Sequence, residues 1–248
     1  MTKYFTNNFS IINLYKKPSI KSDVVTQLIY GESFSVSKST KKWLKIKIKE
    51  DNYKGYIQNR TFHQFIKPSH KIHVLKAKIY KFPNKKKINE LSFGSKIKAE
   101  GKKSQFIKFK KGWINQKDIK PINYKEKNIF NKINLFKDIK YKWGGNSYKG
   151  IDCSALVQIF FKFNNIFCPR DTKDQVKFFN KVNKKNIYKK NNLIYWKGHV
   201  AICLNNNYLI HAYGPKKKVV RMNIKDTVLE IKKKSNLDVT SIKKINDI

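Results

Sequence analysis

The chain has 248 residues, 40% of them hydrophobic and 14% aromatic, enough for packed cores and too many for wholesale disorder. Its 56 Lys+Arg against 16 Asp+Glu give a formal net charge of +40 at pH 7. No apolar run approaches the roughly 18 residues of a bilayer-spanning helix, and three cysteines without close pairs exclude a disulfide scaffold and favour a reducing compartment.

The basic excess is mostly lysine, spread along the whole chain amid heavy Ile and Asn use. Nucleic-acid readers instead concentrate arginine on one stripe. The charge therefore reads as solvated surface, with no specific nucleic-acid partner expected. A polyanion-binding role is the alternative. The opening residues lack an uninterrupted apolar stretch and a small-residue cleavage site, so no secretory signal is read and a cytoplasmic protein is expected.

Two N-terminal segments echo each other. The first runs Leu14-Tyr15-Lys16-Lys17-Pro18, Leu28-Ile29-Tyr30-Gly31-Glu32, Trp43, Gly55-Tyr56-Ile57. The second runs Ile79-Tyr80-Lys81-Phe82-Pro83, Leu91-Ser92-Phe93-Gly94-Ser95, Phe106, Gly112-Trp113-Ile114. Short alternating runs between these marks predict half-buried strands in two small β-barrels, residues 1–66 and 67–122. Lysine-rich Asn123 to Asn134 reads as a linker into a third domain, 123–248.

The period then changes. Leu156, Ile159, Phe160 and Phe163 follow i, i+3, i+4, i+7 and predict an amphipathic helix. Thr172-Lys173-Asp174-Gln175 predicts a capping box opening a second helix. From Leu193 onward four strand-like runs follow, so this domain is α+β: helices first, an antiparallel sheet after.

Cys153 stands at the start of the first helix, behind Gly144-Gly145. A helix N-terminus favours thiolate, the nucleophilic form. Asn205-Asn206-Asn207 reads as a turn between the runs carrying His199 and His211. Pairing Leu204 with Tyr208 across it places Ala201 opposite His211, and both histidines on one face as diagonal neighbours, roughly 7–8 Å apart. A one-residue slip would separate them. A nucleophile, a base and an orienting group have the logic of a catalytic triad. Zinc is the competing use of Cys and His, but Cys153, Cys168 and Cys203 show no C-x-x-C spacing, so no metal or cofactor is expected.

Tyr141-Lys142-Trp143-Gly144-Gly145, Asp152-Cys153-Ser154-Ala155-Leu156, Pro169-Arg170-Asp171-Thr172 with Gln175, Gly198-His199-Val200-Ala201-Ile202 and His211-Ala212 resemble, in order, the NlpC/P60 family of papain-like cysteine peptidases. The preceding units resemble bacterial SH3 (SH3b) domains, the first more clearly. Ala155 stands where the family usually has Gly, and Asn191-Asn192-Leu193 replaces its Gly-Asp-Leu.

The resemblance implies Cys153 as nucleophile, His199 as base, His211 as orienting residue and Tyr141 at the oxyanion hole, with Asp152 and Ser154 contacting the substrate's free amino end. The arrangement is similar to γ-D-glutamyl-L-diamino acid endopeptidases of the dipeptidyl-peptidase VI type. There the first SH3b module narrows the cleft, so that muropeptides with a free N-terminal L-Ala enter. Glu32 and Tyr53 are the candidates for that contact. The expected activity is cleavage of the γ-D-Glu–diamino acid amide during cell-wall peptide recycling. A noncatalytic wall- or polyanion-binding SH3b protein is the alternative, and acyl transfer or lipid amide hydrolysis on the same fold a third reading.

Overall fold

Trp43-Leu44-Lys45-Ile46-Lys47-Ile48 alternates lysine with aliphatic side chains, and the strand Trp43–Ile48 buries Leu44, Ile46 and Ile48 while its lysines face water. In the computed structural model, which describes residues 2–182 and 187–245, this strand belongs to a seven-stranded antiparallel sheet spanning Tyr4 to Gln64. Leu14, Leu28, Phe34, Ile46, Ile48 and Ile57 fill its interior. A second β unit combines a five-stranded and a three-stranded sheet between His70 and Pro121, around Ala77, Ile79, Leu91, Phe109 and Ile114. The two units meet at Gly31. A Cβ there would stand 2.0 Å from the Lys96 carbonyl oxygen, and φ of +83° suits glycine alone.

The remaining domain places helices α1 (Cys153–Phe163) and α2 (Thr172–Phe178) before a six-stranded antiparallel sheet. Four sheet strands are Leu193–Trp196, His199–Cys203, Tyr208–Tyr213 and Lys218–Asn223, as the run pattern predicts. Two further elements went unread in the sequence. Helix α3 (Ile224–Ser235) is capped by Asn223, whose side chain accepts from the amides of Lys225 and Asp226, and it buries Ile224, Thr227 and Ile231. The strand Ser241–Lys244 adds to the sheet beside Leu193–Trp196.

The two β units grip this domain in different ways. Phe93 of the second unit enters its aromatic core, with ring centroids 4.7 Å from Phe163, 5.4 Å from Phe160 and 5.7 Å from Phe136. Buried Lys71 donates to the carbonyls of Tyr124 and Phe163, satisfying the C-terminal end of α1. The first unit is held by buried polar bonds instead. Gln27 accepts from the Asn146 amide at 3.1 Å, Thr26 Oγ1 accepts from Arg170 at 2.8 Å, and Asp51 accepts from Gln158 at 3.0 Å.

Two expectations need correction. Asn123 to Asn134 is no free linker, because Ile129, Phe130 and Ile133 are buried in the α1 core and outweigh the lysines between them. Thr172-Lys173-Asp174-Gln175 is no capping box. Gln175 turns inward and donates to the carbonyls of Ser154 and Pro169, at 3.0 and 2.9 Å. The N-cap residue is Asp171, whose carboxylate makes no cap bond and accepts from the Tyr53 hydroxyl.

Candidate active site

The chain reaches Cys153 through a turn built on one carboxylate. Asp152 is the N-cap of α1: its Oδ1 accepts from the Ala155 amide at 2.8 Å and its Oδ2 from the Gly144 amide at 3.0 Å. Buried Arg170 closes on the same carboxylate with Nη1 at 3.0 Å and Nη2 at 2.5 Å, and also donates to Ser154 Oγ at 2.8 Å. The glycine at 144 is required twice over. Its φ is +67°, and a Cβ would stand 2.2 Å from the Val24 carbonyl oxygen of the first β unit.

The sulfur of Cys153 rests against the strand that carries His199. Sγ lies 3.9 Å from the Gly198 carbonyl oxygen, and the Val200 amide donates to it, so backbone groups on both sides of His199 bracket it. Burial pushes the thiol up to about 12, and Asp152 adds to this, against the pull of the Val200 amide, Arg170 and the Ser154 amide. The thiolate bias expected of a helix N-terminus is opposed here chiefly by burial and then by the Asp152 carboxylate.

The two histidines adopt the anticipated register. Ile202 pairs with Ile210 and Cys203 with Leu209, which continues to Ala201 opposite His211. His199 Nε2 lies 2.9 Å from His211 Nδ1. Burial lowers His199 to about 4, and burial with the neighbouring His199 holds His211 well below its ordinary value. Both shifts disfavour the charged form of the rings. His211 Nε2 faces Met222 Sδ at 3.4 Å, and the Tyr213 ring stacks on His211 at 4.6 Å and 12°. Tyr141 is half-buried, and burial is the main cause that raises its phenol.

A cleft of about 560 Å³ opens over Cys153. Asp152, Ser154, Arg170, Asp171 and Gly198 line it from the catalytic side, and Asp23, Val25 and Tyr53 from the first β unit. The Tyr53 hydroxyl donates to both Asp171 oxygens, at 3.1 and 3.0 Å. Tyr53 thus reaches the cleft, and its phenol is raised by burial and by Asp171.

Glu32 does not line the cleft. It is buried beside Lys162, near the far end of α1, with Nζ 3.0 Å from Glu32 and 2.9 Å from Asp51. Burial raises Glu32, and Lys162 only partly offsets it. Asp51 is held below its ordinary value, because Lys162 and hydrogen bonds outweigh its burial. Asp152 lines the cleft, but its lone pairs are taken by Arg170, two amides and the Ser154 hydroxyl, so capping replaces the expected substrate contact.

Sequence reasoning missed Asp23 and assigned no role to Arg170, Asp171 or Trp143, which is 68% exposed at the cleft. An acidic residue is scarce in so basic a chain, and that scarcity was the available signal for Asp23 and Asp171. Among the described residues, no group of three or more His, Cys, Asp or Glu could hold a metal ion, and no helix is long and apolar enough to cross a membrane.

Residues 138–235 match the NlpC/P60 family, and residues 14–61 match the bacterial dipeptidyl-peptidase SH3 domain. The gamma-D-glutamyl-L-lysine dipeptidyl-peptidase of Bacillus subtilis is 25% identical over 234 residues, covering 84% of this chain and 78% of that protein. The probable endopeptidase NlpC homolog of Haemophilus influenzae is 37% identical over 76 residues, 29% of this chain and 41% of that protein. The crystal structure of an NlpC/P60 family protein from Bacillus cereus superposes with a TM-score of 0.76 at 18% identity, over 90% of this chain and 94% of that one. The fold is therefore shared: an α+β NlpC/P60 domain preceded by SH3-like barrels.

Proposed function

We propose that this chain, an NlpC/P60 domain behind SH3-like barrels, is a cysteine endopeptidase acting on peptidoglycan-derived peptides. The bond cut is the γ-D-glutamyl–diamino acid amide, in substrates with a free N-terminal L-Ala. The observation that carries this reading is that Cys153, in a cleft walled by the first barrel, has its sulfur bracketed by the backbone on both sides of His199, whose ring meets His211 at 2.9 Å.

His199 takes the Cys153 proton as Sγ attacks the amide carbonyl carbon. The Cys153 backbone N–H and the Tyr141 hydroxyl hold the developing oxyanion. His199 returns the proton to the departing diamino-acid nitrogen. It then deprotonates a water that cleaves the thioester and frees L-Ala-D-Glu.

The wall opposite Cys153 suits an ammonium group. Asp23 and Asp171 supply negative charge, and Tyr53 supplies a hydroxyl. Lys16, Lys54 and Lys173 also line the cleft and suit the substrate's carboxylates. In an intact wall that nitrogen is tied up in an amide. A subsite for the free ammonium therefore selects released fragments, which points to peptide recycling in the cytoplasm.

Incubation with L-Ala-γ-D-Glu-diaminopimelate tests the reading. Cleavage between the second and third residues is expected, and Cys153→Ala should lower it by several orders of magnitude. No cleavage by wild type, or undiminished cleavage by the variant, defeats it. The formal charge of +40 favours one rival, a noncatalytic polyanion-binding protein. That rival predicts salt-sensitive binding to anionic polymers that is indifferent to Cys153.

A further inference from the structure

Catalysis as described needs His199 to turn a bare Nδ1 toward the sulfur, and the two histidines alone do not decide this. Rings joined Nε2 to Nδ1 share a single hydrogen, which either ring can own. If His199 Nε2 owns it, the Nδ1 of neutral His199 is bare and can receive a proton. If His211 Nδ1 owns it, His199 keeps its own hydrogen on Nδ1 and cannot act as a base.

The deciding contact lies on the other side of His211. Its Nε2 is 3.4 Å from Met222 Sδ. A thioether has no hydrogen to give and can only accept. Neutral His211 satisfies that contact only with its hydrogen on Nε2, which leaves Nδ1 as the acceptor facing His199. We propose that Met222 is a positioning residue that fixes the productive tautomer of the His199–His211 pair through its sulfur.

The surroundings hold this arrangement in place. His211 is fully buried, so water does not compete for Nε2. The Tyr213 ring lies nearly parallel to it at 12° and sets its plane. The strand Lys218–Asn223 pairs Leu209 with Met222 and His211 with Val220, which puts Met222 on the same face as His211, one diagonal step away. Met222 itself is only half-buried within its packing cluster, so its side chain can be exchanged without opening the core.

The test uses the full chain with 15N-labelled histidine, the five histidines being assigned through single His→Gln variants. The inference rests on the peptidase reading only for its rate measurement. Ring-nitrogen NMR at neutral pH should place the hydrogen on Nε2 in both His199 and His211. Met222→Leu, which nearly conserves volume, should give mixed tautomers in both rings. It should also lower kcat for L-Ala-γ-D-Glu-diaminopimelate about 3- to 10-fold with KM unchanged, the loss expected for one weak hydrogen bond. Met222→Gln, which restores an acceptor, should recover both signals and rate. A wild-type His211 carrying its hydrogen on Nδ1 overturns the proposal, and so do unchanged ring signals in Met222→Leu. If the peptide is not cut while the ring signals behave as stated, the peptidase reading fails and the assignment to Met222 stands.

Discussion

Replacing Arg170 with Met leaves a carboxylate stranded in the interior. Arg170 and Asp152 are both buried, and two guanidinium nitrogens meet the two carboxylate oxygens at 3.0 and 2.5 Å. The same guanidinium ties Ser154 and, across the domain contact, Thr26. Removing one partner of such a pair costs about 3–5 kcal/mol, chiefly because the survivor loses its compensation. For a chain of this size that is on the order of 10 °C in Tm. Thermal unfolding followed by circular dichroism measures the loss. Asp152→Asn in the same background should recover part of it, since the stranded charge is gone, and a double-mutant cycle should therefore show strong coupling. An Arg170→Met protein that melts with wild type, or two losses that simply add, would refute the assignment of Arg170 as the buttress of the turn that leads into Cys153.

Tyr53→Phe removes the hydroxyl that reaches Asp171 from the first barrel. KM for the free-amine peptide should rise about 3- to 10-fold with little change in kcat, and steady-state kinetics read the split. The unfolded imidazole of His199 binds its proton near 6.5 and the folded one near 4. The unfolded state thus holds more protons between these values, and stability falls as pH drops from 6.5 to 4. His199→Gln should flatten this part of a Tm-against-pH curve. Phe93→Ala empties a site among Phe136, Phe160 and Phe163, and denaturant titration should show a loss of about 3–5 kcal/mol.

What the sequence disclosed follows from the range of each interaction. The histidine register was readable because a three-Asn turn fixes which residues face each other across a short hairpin. Helix α1 was readable from its period and its start. The fate of Glu32 was not, because nothing near it in the chain announces Lys162 of α1 as its partner. Phe93 sits in a strand-like run and looks like barrel core, yet it packs in another domain. Helix α3 escaped because its lysines hide a sparse apolar stripe of Ile224, Thr227 and Ile231. Asp152 was assigned to substrate because its neighbours Gly144 and Arg170 converge on it only in three dimensions.

Every group proposed for the chemical step, from Tyr141 to His211, falls within one contiguous stretch of chain. The ties that complete the cleft wall span far more: Tyr53 to Asp171 bridges 118 positions, Asp51 to Gln158 bridges 107, and Thr26 to Arg170 bridges 144. Closing such long loops is slow, because their entropy must be lost before any contact repays it. The proposed cutting groups thus lie on one stretch of chain, whereas the proposed filter is completed only by contacts that the first barrel makes on docking.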